Sequence, residues 1–479
     1  MKKTITKTAI MLSLLVAGAA DIYAQSAIYA CGHIRRTRET AITNLKNSGY
    51  TTAILFNVNV EKDGSLTTDF SWDTQTAAEA GGIICQNGEY VFDRYQPHYV
   101  DDIKSLVTQP TTISRLEICI GGWGNGSYGN IRDYINRYGT GEETVLYRNF
   151  KALKEMIPEI EAVNNDQEQD YDVETAVKFH RMLADIGYKT TVAPYMNRSY
   201  WQVLVRRLNE VPGTCDLVYL QTYGGGAGND PSEWKVFGDI PMYIGYDCEA
   251  SGNLSEMESR FKNWRDADGV QGGFLWNYNS EARNVNEWAT AINRIFPTKT
   301  VDKAAARFYQ DINYGGYSVT LPEGSFSRTE MALYGIRAND ITSFKLLSGY
   351  KVTMYSGDNF DGASVTFTES SSWIGTEWND RVCSMKIESV GTGIGSVDAD
   401  ASGELAASLD ADGTAVIVSG AAAGKVELYS VAGDKVCETA VSADGSAELS
   451  VASLPAGLYV VKVANGSAKG LKRWQSASA

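Results

Sequence analysis

From about residue 26 to residue 296, short apolar runs alternate with longer stretches whose apolar residues recur at helical spacing. The runs predict strands near Ile28, Ala53 to Val58, Leu116 to Ile120, Ile160 to Asn164, Thr190 to Pro194, Leu217 to Thr222, Met242 to Tyr246 and Gly273 to Trp276. Helices are expected at Thr37 to Leu45, Val100 to Val107, Val145 to Glu155, Val173 to Leu183 and Leu254 to Trp264, among others. Alternation of this kind specifies an α/β domain with a parallel sheet, because parallel strands need a crossover between them. Eight repeats fit a TIM barrel of about 250 residues, whose chemistry sits at the carboxyl ends of its strands.

Beyond Asp302 the pattern changes to short, turn-rich strands. Tyr309, Tyr314, Gly316 and Ser318 recur at identical spacing as Tyr355, Phe360, Gly362 and Ser364, so residues 305–390 are expected to form a two-motif β-sandwich. Small residues and glycines over 391–415 read as a linker. Strands are expected again at Lys425 to Ala432 and Leu458 to Val463, with turns at Ala432-Gly433-Asp434 and Leu454-Pro455-Ala456-Gly457, in a last domain over 416–479. The expected fold is therefore an α/β TIM barrel over 25–298 followed by two small all-β domains, the two-motif sandwich and an Ig-like sandwich.

Bulk properties narrow the function classes. Lys2, Lys3 and Lys7 precede the apolar Ala9 to Ala20 and a small residue at Ala24, so 1–24 reads as a secretory signal peptide cleaved before Gln25. A lipoprotein cysteine at Cys31 is the alternative. No other segment reaches the ~20 apolar residues of a membrane helix, and no transmembrane span is expected. The net charge of −15 argues against nucleic acid, which requires a basic face. Seven cysteines without Cys-x-x-Cys spacing suggest neither a disulfide framework nor a zinc site, and leave at least one thiol unpaired.

The densest chemistry lies in Glu161-Ala162-Val163-Asn164-Asn165-Asp166-Gln167-Glu168. A strand period of two puts Asn164 and Asp166 on one face with Glu168 just beyond, so two carboxyls meet at a strand end. A neighbouring charge raises a carboxyl pKa and keeps one proton available for general acid catalysis. The bland alternative is a solvated loop before a helix. Other strand ends carry Trp123, Tyr195, Gln221, Tyr223 and Trp276, so aromatic and polar groups collect on one rim. His180, in an outer helix, is expected to pack or meet solvent, and His33 to bond a loop.

These residues resemble glycoside hydrolase family 18, the chitinases and endo-β-N-acetylglucosaminidases, whose fourth strand carries aspartate-x-x-aspartate-x-aspartate-x-glutamate. Asp166 and Glu168 match it, whereas Glu161 and Asn164 replace the first two aspartates. Cys119-Ile120-Gly121-Gly122 is similar to the third-strand motif with cysteine for serine, Gln221-Thr222-Tyr223 to the sixth-strand motif and Trp276 to the eighth-strand tryptophan. The resemblance implies retaining, substrate-assisted hydrolysis of an N-acetylglucosamine glycan, without a second carboxylate nucleophile. Glu168 would protonate the glycosidic oxygen, Asp166 would orient the acetamido group and Tyr223 would hydrogen-bond its oxygen. Asn164, Gln221, Trp276, Trp123 and Tyr195 would bind substrate. No cofactor is implied for catalysis. The short stretch between the seventh and eighth strands implies an open groove and favours internal cleavage. A glycan-binding, lectin-like barrel without catalysis is the alternative, and a barrel used only as a scaffold a third.

The aromatic repeat resembles the βγ-crystallin Greek key, in which a serine ties down each folded hairpin. Calcium-binding members use a six-residue motif; Ala338-Asn339-Asp340-Ile341-Thr342-Ser343 and Asn379-Asp380-Arg381-Val382-Cys383-Ser384 each lack one oxygen ligand. A weak calcium site using Thr342 and Asp380 is expected, an ion-free module being the alternative. The last domain, with Val426 to Gly433, Leu454 to Val463 and basic Lys469, Lys472 and Arg473, resembles the type IX secretion sorting domain of Bacteroidetes. That resemblance implies the type IX machinery as a partner and a secreted or cell-surface location.

Overall fold

The computed structural model describes residues 25–30, 34, 37–69, 81–248, 252–278, 284–297, 299, 301–347, 349–390, 406–410, 414–419, 424–430, 434–452, 454, 457–463 and 472–474. The leader, Cys31, His33, residues 391–405 of the expected linker, the Ala432-Gly433 and Pro455-Ala456 turns and Lys469 lie outside them.

Eight parallel strands close into a barrel: β1 (Ser26–Ala30), β2 (Thr52–Leu55), β3 (Arg115–Gly121), β4 (Ile160–Asp166), β5 (Lys189–Val192), β6 (Cys215–Leu220), β7 (Met242–Asp247) and β8 (Gly272–Trp276). Each pairs with its neighbours in sequence, and β8 returns to β1 through Ser26 opposite Gly273. All eight lie where the apolar runs predicted them. Helices α1 (Arg38–Lys46), α2 (Tyr99–Leu106), α3 (Ser127–Tyr138), α4 (Val145–Met156), α5 (Val173–Ile186), α6 (Arg198–Leu208), α7 (Leu254–Asp268) and α8 (Val285–Ile295) occupy the connections and follow β8. Between β6 and β7 there are two short 3-10 turns instead.

Local chemistry sets these boundaries. Asp172 caps α5 by accepting from the Thr175 amide at 2.8 Å, and Gly187 ends it in the left-handed region. The strand alternation divides the core in two. Ile28, Leu116, Val163, Val218 and Ile244 face outward and pack under the helices, while Ala27, Tyr29, Ile54, Phe56, Cys119, Tyr219, Tyr243 and Phe274 fill the barrel interior. Between β2 and α2 the chain forms an antiparallel four-stranded sheet, Asn59–Val60, Leu66–Asp69, Gly81–Gln86 and Glu89–Tyr90.

The compact unit that holds the barrel also takes in Phe326–Asp340. Its short helix Arg328–Leu333 packs along α8, where Asn293 donates to the Ala332 carbonyl at 3.0 Å and Arg294 to that of Gly335.

The second unit contains the two β regions. In the first, Ala306–Tyr309 lies between Ser318–Leu321 and Ser343–Leu346, and Tyr350–Tyr355 lies between Ser364–Phe367 and Ser384–Ser389. The repeated aromatic pairs Tyr309–Tyr314 and Tyr355–Phe360 meet edge to face at 5.4 and 5.9 Å. The serines expected to tie down these hairpins are corrected. Ser318 accepts from Arg307, whereas Ser343 accepts from the Tyr314 amide and donates to the Asp311 carbonyl, and Ser384 does the same for Phe360 and Gly357. The tie comes from the partner strand, because a buried hydroxyl there meets both unpaired backbone groups of the fold.

In the second β region, Ala406–Leu409, Ala415–Ser419 and Ala447–Ser450 form one sheet, and Lys435–Ala440, Lys425–Ser430, Gly457–Val463 and Lys472–Trp474 another. Val416, Val418, Leu449, Val426, Leu428 and Val461 make their common core. The first of these strands falls within the expected linker, which is correspondingly shorter. Cys85, Cys119, Cys215, Cys248 and Cys383 are buried and Cys437 is half-buried; none of these six is in a disulfide.

Candidate active site

At the carboxyl end of β4 the inward set is Ala162, Asn164 and Asp166, with Glu168 just past the strand. Gly121 makes this packing possible. It adopts φ +113°, and a Cβ there would stand 2.1 Å from the Asp166 carbonyl oxygen. The Gly122 amide donates to that same carbonyl at 2.7 Å, so the ends of β3 and β4 are locked together.

Asp166 is buried and Glu168 half-buried. Burial, the charge of Glu168 and a hydrogen bond with Glu168 hold the Asp166 carboxyl well above the usual carboxylate range, against the pull of Gln221. Glu168 is also raised by burial, while hydrogen bonds from Gln221 and Asp166 work the other way. The two carboxyls are thus hydrogen-bonded to each other, and the deeper one, Asp166, is the more strongly raised. Gln221 Nε2 donates to Asp166 Oδ1 at 2.8 Å and to the Ala193 carbonyl at 3.0 Å.

Tyr223 reaches the pair from the end of β6. Burial and the charges of Asp166, Asp247 and Glu168 push its phenol well up, so it is a neutral hydrogen-bond donor. A Cβ on Gly245 would come within 2.5 Å of the Tyr223 ring, so that glycine makes room for it. Trp276 stands at the end of β8 with its ring 4.9 Å from Phe56 and 5.3 Å from Tyr29, forming the aromatic wall of the mouth. The Phe56–Asn57 and Trp276–Asn277 peptides at this rim are cis. Tyr195 is half-buried against Gly225, and Trp123 projects from the loop after β3 with 74% of its surface exposed.

The structure thus gathers Asp166, Glu168, Gln221, Tyr223 and Trp276 at one mouth, and keeps Trp123 at its outer edge. Asn164 lies one level lower, accepting from the Tyr29 hydroxyl at 3.0 Å and donating to Thr191 at 2.9 Å. Glu161 is exposed at the other end of β4, beside the register shift opposite Leu116 and Glu117, and takes no part in the site. The outward residues of the same strand are structural. Asn165 bonds His180 at 2.8 Å and Gln167 accepts from Tyr200, so His180 is fully buried packing rather than a solvated residue.

Sequence reasoning missed Tyr29, Asp247 and Asn229. Asn229 donates to the carbonyls of Tyr195 and Gln221, latching the β5 and β6 loops together. Its only signal was an asparagine in a glycine-rich loop.

Residues 411–475 match a family model described as a secretion system C-terminal sorting domain. Development-specific protein S of Myxococcus xanthus is 32% identical over 83 residues, 17% of this chain and 47% of that protein; a homolog from the same organism is 34% identical over 83 residues, 17% and 46%. The chain spans about half the length of these curated relatives. Among solved structures, a βγ-crystallin domain from Flavobacterium johnsoniae is 34% identical, covers 18% of this chain and 98% of that one, and has a TM-score of 0.18. One from Clostridium beijerinckii is 41% identical over 17% and 95%, with a TM-score of 0.17.

Over that stretch the chain carries a βγ-crystallin-like domain. It is, further, an exported protein, which its sorting domain directs through the type IX secretion machinery to the cell surface or beyond. Among the described residues no helix is long and apolar enough to cross a membrane.

Proposed function

We propose that the barrel is a retaining glycosidase for β-1,4-linked N-acetylglucosamine glycans, of chitin or N-glycan core type, acting by substrate assistance. The observation that carries this is the hydrogen-bonded Asp166–Glu168 carboxyl pair, with Gln221 donating to Asp166, at the same end of the barrel as Tyr223 and Trp276. An acetamido N–H arriving at Asp166 favours its ionised form, so the proton passes across the hydrogen bond to Glu168. The acetamido oxygen then attacks the anomeric carbon while the glycosidic bond breaks, and Glu168 gives its proton to the departing oxygen. Asp166 balances the positive charge of the cyclic intermediate, and Tyr223 hydrogen-bonds the acetamido oxygen and aligns it. Water next attacks the same carbon with Glu168 as base, and the ring reopens with retained configuration.

Reducing-end release from chitin oligomers and from a high-mannose glycoprotein, with Glu168→Gln as control, tests this reading. Product from the wild type alone supports it. Glycan binding without product from either protein favours a lectin-like barrel, and neither binding nor product favours a scaffold.

In the βγ-crystallin region we infer a weak calcium site. Thr342 donates to Asn379 Oδ1 at 2.9 Å and the Asn379 amide to Asp380 Oδ2 at 2.7 Å, so three oxygen-bearing side chains from the two motifs converge. Ala338 and Cys383 add no oxygen, and with one carboxylate the affinity belongs to the millimolar class.

A further inference from the structure

We propose that Glu117 is a positioning residue that dictates an amide at position 164, so that Asp166 keeps Glu168 as its proton partner. The inference rests on the glycosidase reading of the mouth. It makes Asn164 a fitted part of that site rather than a sign of decay.

A hydrogen-bonded chain runs up the barrel interior. Arg115 Nε donates to Glu117 Oε1 at 2.7 Å and the Tyr219 hydroxyl to the same oxygen at 3.0 Å. Thr191 donates to Glu117 Oε2 at 2.6 Å, Asn164 Nδ2 donates to Thr191 Oγ1 at 2.9 Å, and the Tyr29 hydroxyl donates to Asn164 Oδ1 at 3.0 Å. Every member is buried, and Asn164 lies directly between Cys119 and Thr191 in the strand register.

The direction follows from donor capacity. An ionised carboxylate only accepts, so it takes the single hydrogen of Thr191; the threonine can then only accept from position 164. Asparagine meets that demand with its NH2 group, and its carbonyl is left for Tyr29. An ionised aspartate could not, because its oxygen would face a threonine lone pair. Burial and the charge of Asp216 hold the Glu117 carboxyl above the usual range against the pull of Arg115, Thr191 and Tyr219, yet a guanidinium at 2.7 Å and three donors on its two oxygens are the partners of an ionised carboxylate. The titratable groups facing position 164 are Tyr29 on β1, Glu117 and Cys119 on β3, Asp166 on β4, Tyr219 on β6 and Tyr223 just beyond it, with Arg115 behind Glu117.

Reversing the chain tests the proposal. Asn164→Asp alone should hold a protonated carboxyl at pH 5 and be forced to ionise against Thr191 at pH 8, so its melting temperature should fall about 5 °C below wild type at pH 8 and recover at pH 5. The sign follows from a folded pKa above the unfolded one, whose stabilisation is lost as pH rises through the folded value. Glu117→Gln alone should cost about tenfold in hydrolysis, the equivalent of one misplaced hydrogen bond. When Glu117→Gln and Asn164→Asp are combined, the new amide can donate to Thr191, and Thr191 can donate to the new carboxylate. Melting temperature at pH 8 should recover, and the bell-shaped rate profile should move to higher pH because a like charge now stands beside Asp166. Adding Thr191→Val should abolish the recovery.

A silent Glu117→Gln would overturn the proposal, since it would mean that Glu117 already donates towards Thr191. So would a double variant no better than the sum of the singles, in melting or in profile shift. Should either single variant fail to fold, folding of the double variant at pH 8 carries the same test. Should the wild type release no product, the glycosidase reading fails while the melting cycle still decides the chain of bonds.

Discussion

At the floor of the barrel Arg115 lies between two carboxylates, 2.7 Å from Glu117 and 2.8 Å from Asp216, and Lys189 adds a second cation 3.2 Å from Asp216. At its mouth Gln221 occupies the corresponding place between Asp166 and Glu168. Both sites surround a planar nitrogen donor with two acids, but the floor acids are paired with Arg115 and Lys189 while the donor at the mouth is neutral. With guanidinium the acids are neutralised and serve to close the barrel. With an amide the repulsion between the two carboxyls is not neutralised; burial and that repulsion hold Asp166 above the usual carboxylate range, and burial holds Glu168 there. Among the described residues no cation forms an ion pair with either mouth carboxyl, and on the proposed reading the proton between them is the one that moves.

Three substitutions probe that contrast and two, with one ligand, set it against the rest of the molecule, the largest effect first. Glu168→Gln should lower the hydrolysis rate by about 10²–10⁴-fold with glycan binding retained, read as product release against equilibrium binding. At the floor, Arg115→Met should leave Glu117 buried without its cation and cost about 3–5 kcal/mol in denaturant unfolding, far more than Glu168→Gln costs in stability.

His180, which lies on neither carboxyl site, supplies the acid limit. Burial lowers its pKa to about 3. It is neutral in the fold and protonated once unfolded below about pH 6.5, so its stabilisation holds above that pH and falls by about 1.4 kcal/mol per unit as the medium is acidified towards pH 3. His180→Gln should flatten that slope in melting curves taken across the range. Gln221→Leu removes the donor that lowers both mouth carboxyls, so both limbs of the rate profile should move up by about one pH unit. The smallest effect is expected in the second unit, where 10 mM calcium should stabilise by about 1.5 kcal/mol and Asp380→Ala should abolish the gain.

Much of this was legible in the residues. The eight strands are buried on both faces and so announce themselves as apolar runs, and Asp166 and Glu168 stand out because they interrupt one at its end. The inserted sheet was not legible: Asn59–Val60 and Glu89–Tyr90 are too short for any periodicity to register. Glu117 was hidden for another reason. Arg115-Leu116-Glu117-Ile118-Cys119 reads as an apolar strand with a charged beginning, and only the period of two, which puts Arg115, Glu117 and Cys119 on one face, hints at an ion pair inside the barrel. Ser343 and Ser384 escaped because their partners lie 29 and 24 residues away.

The buried thiols acquire a second meaning once the chain is exported. Cys85, Cys119, Cys215, Cys248 and Cys383 are screened from solvent, and burial pushes Cys85 up to about 12, so these five side chains are shielded from an oxidising medium while the fold is intact. Unfolding of the barrel unit uncovers Cys85, Cys119, Cys215 and Cys248, and mispaired disulfides can then prevent return. Outside the cell its working lifetime is thus a clock set by how often the chain opens, with each opening liable to be final.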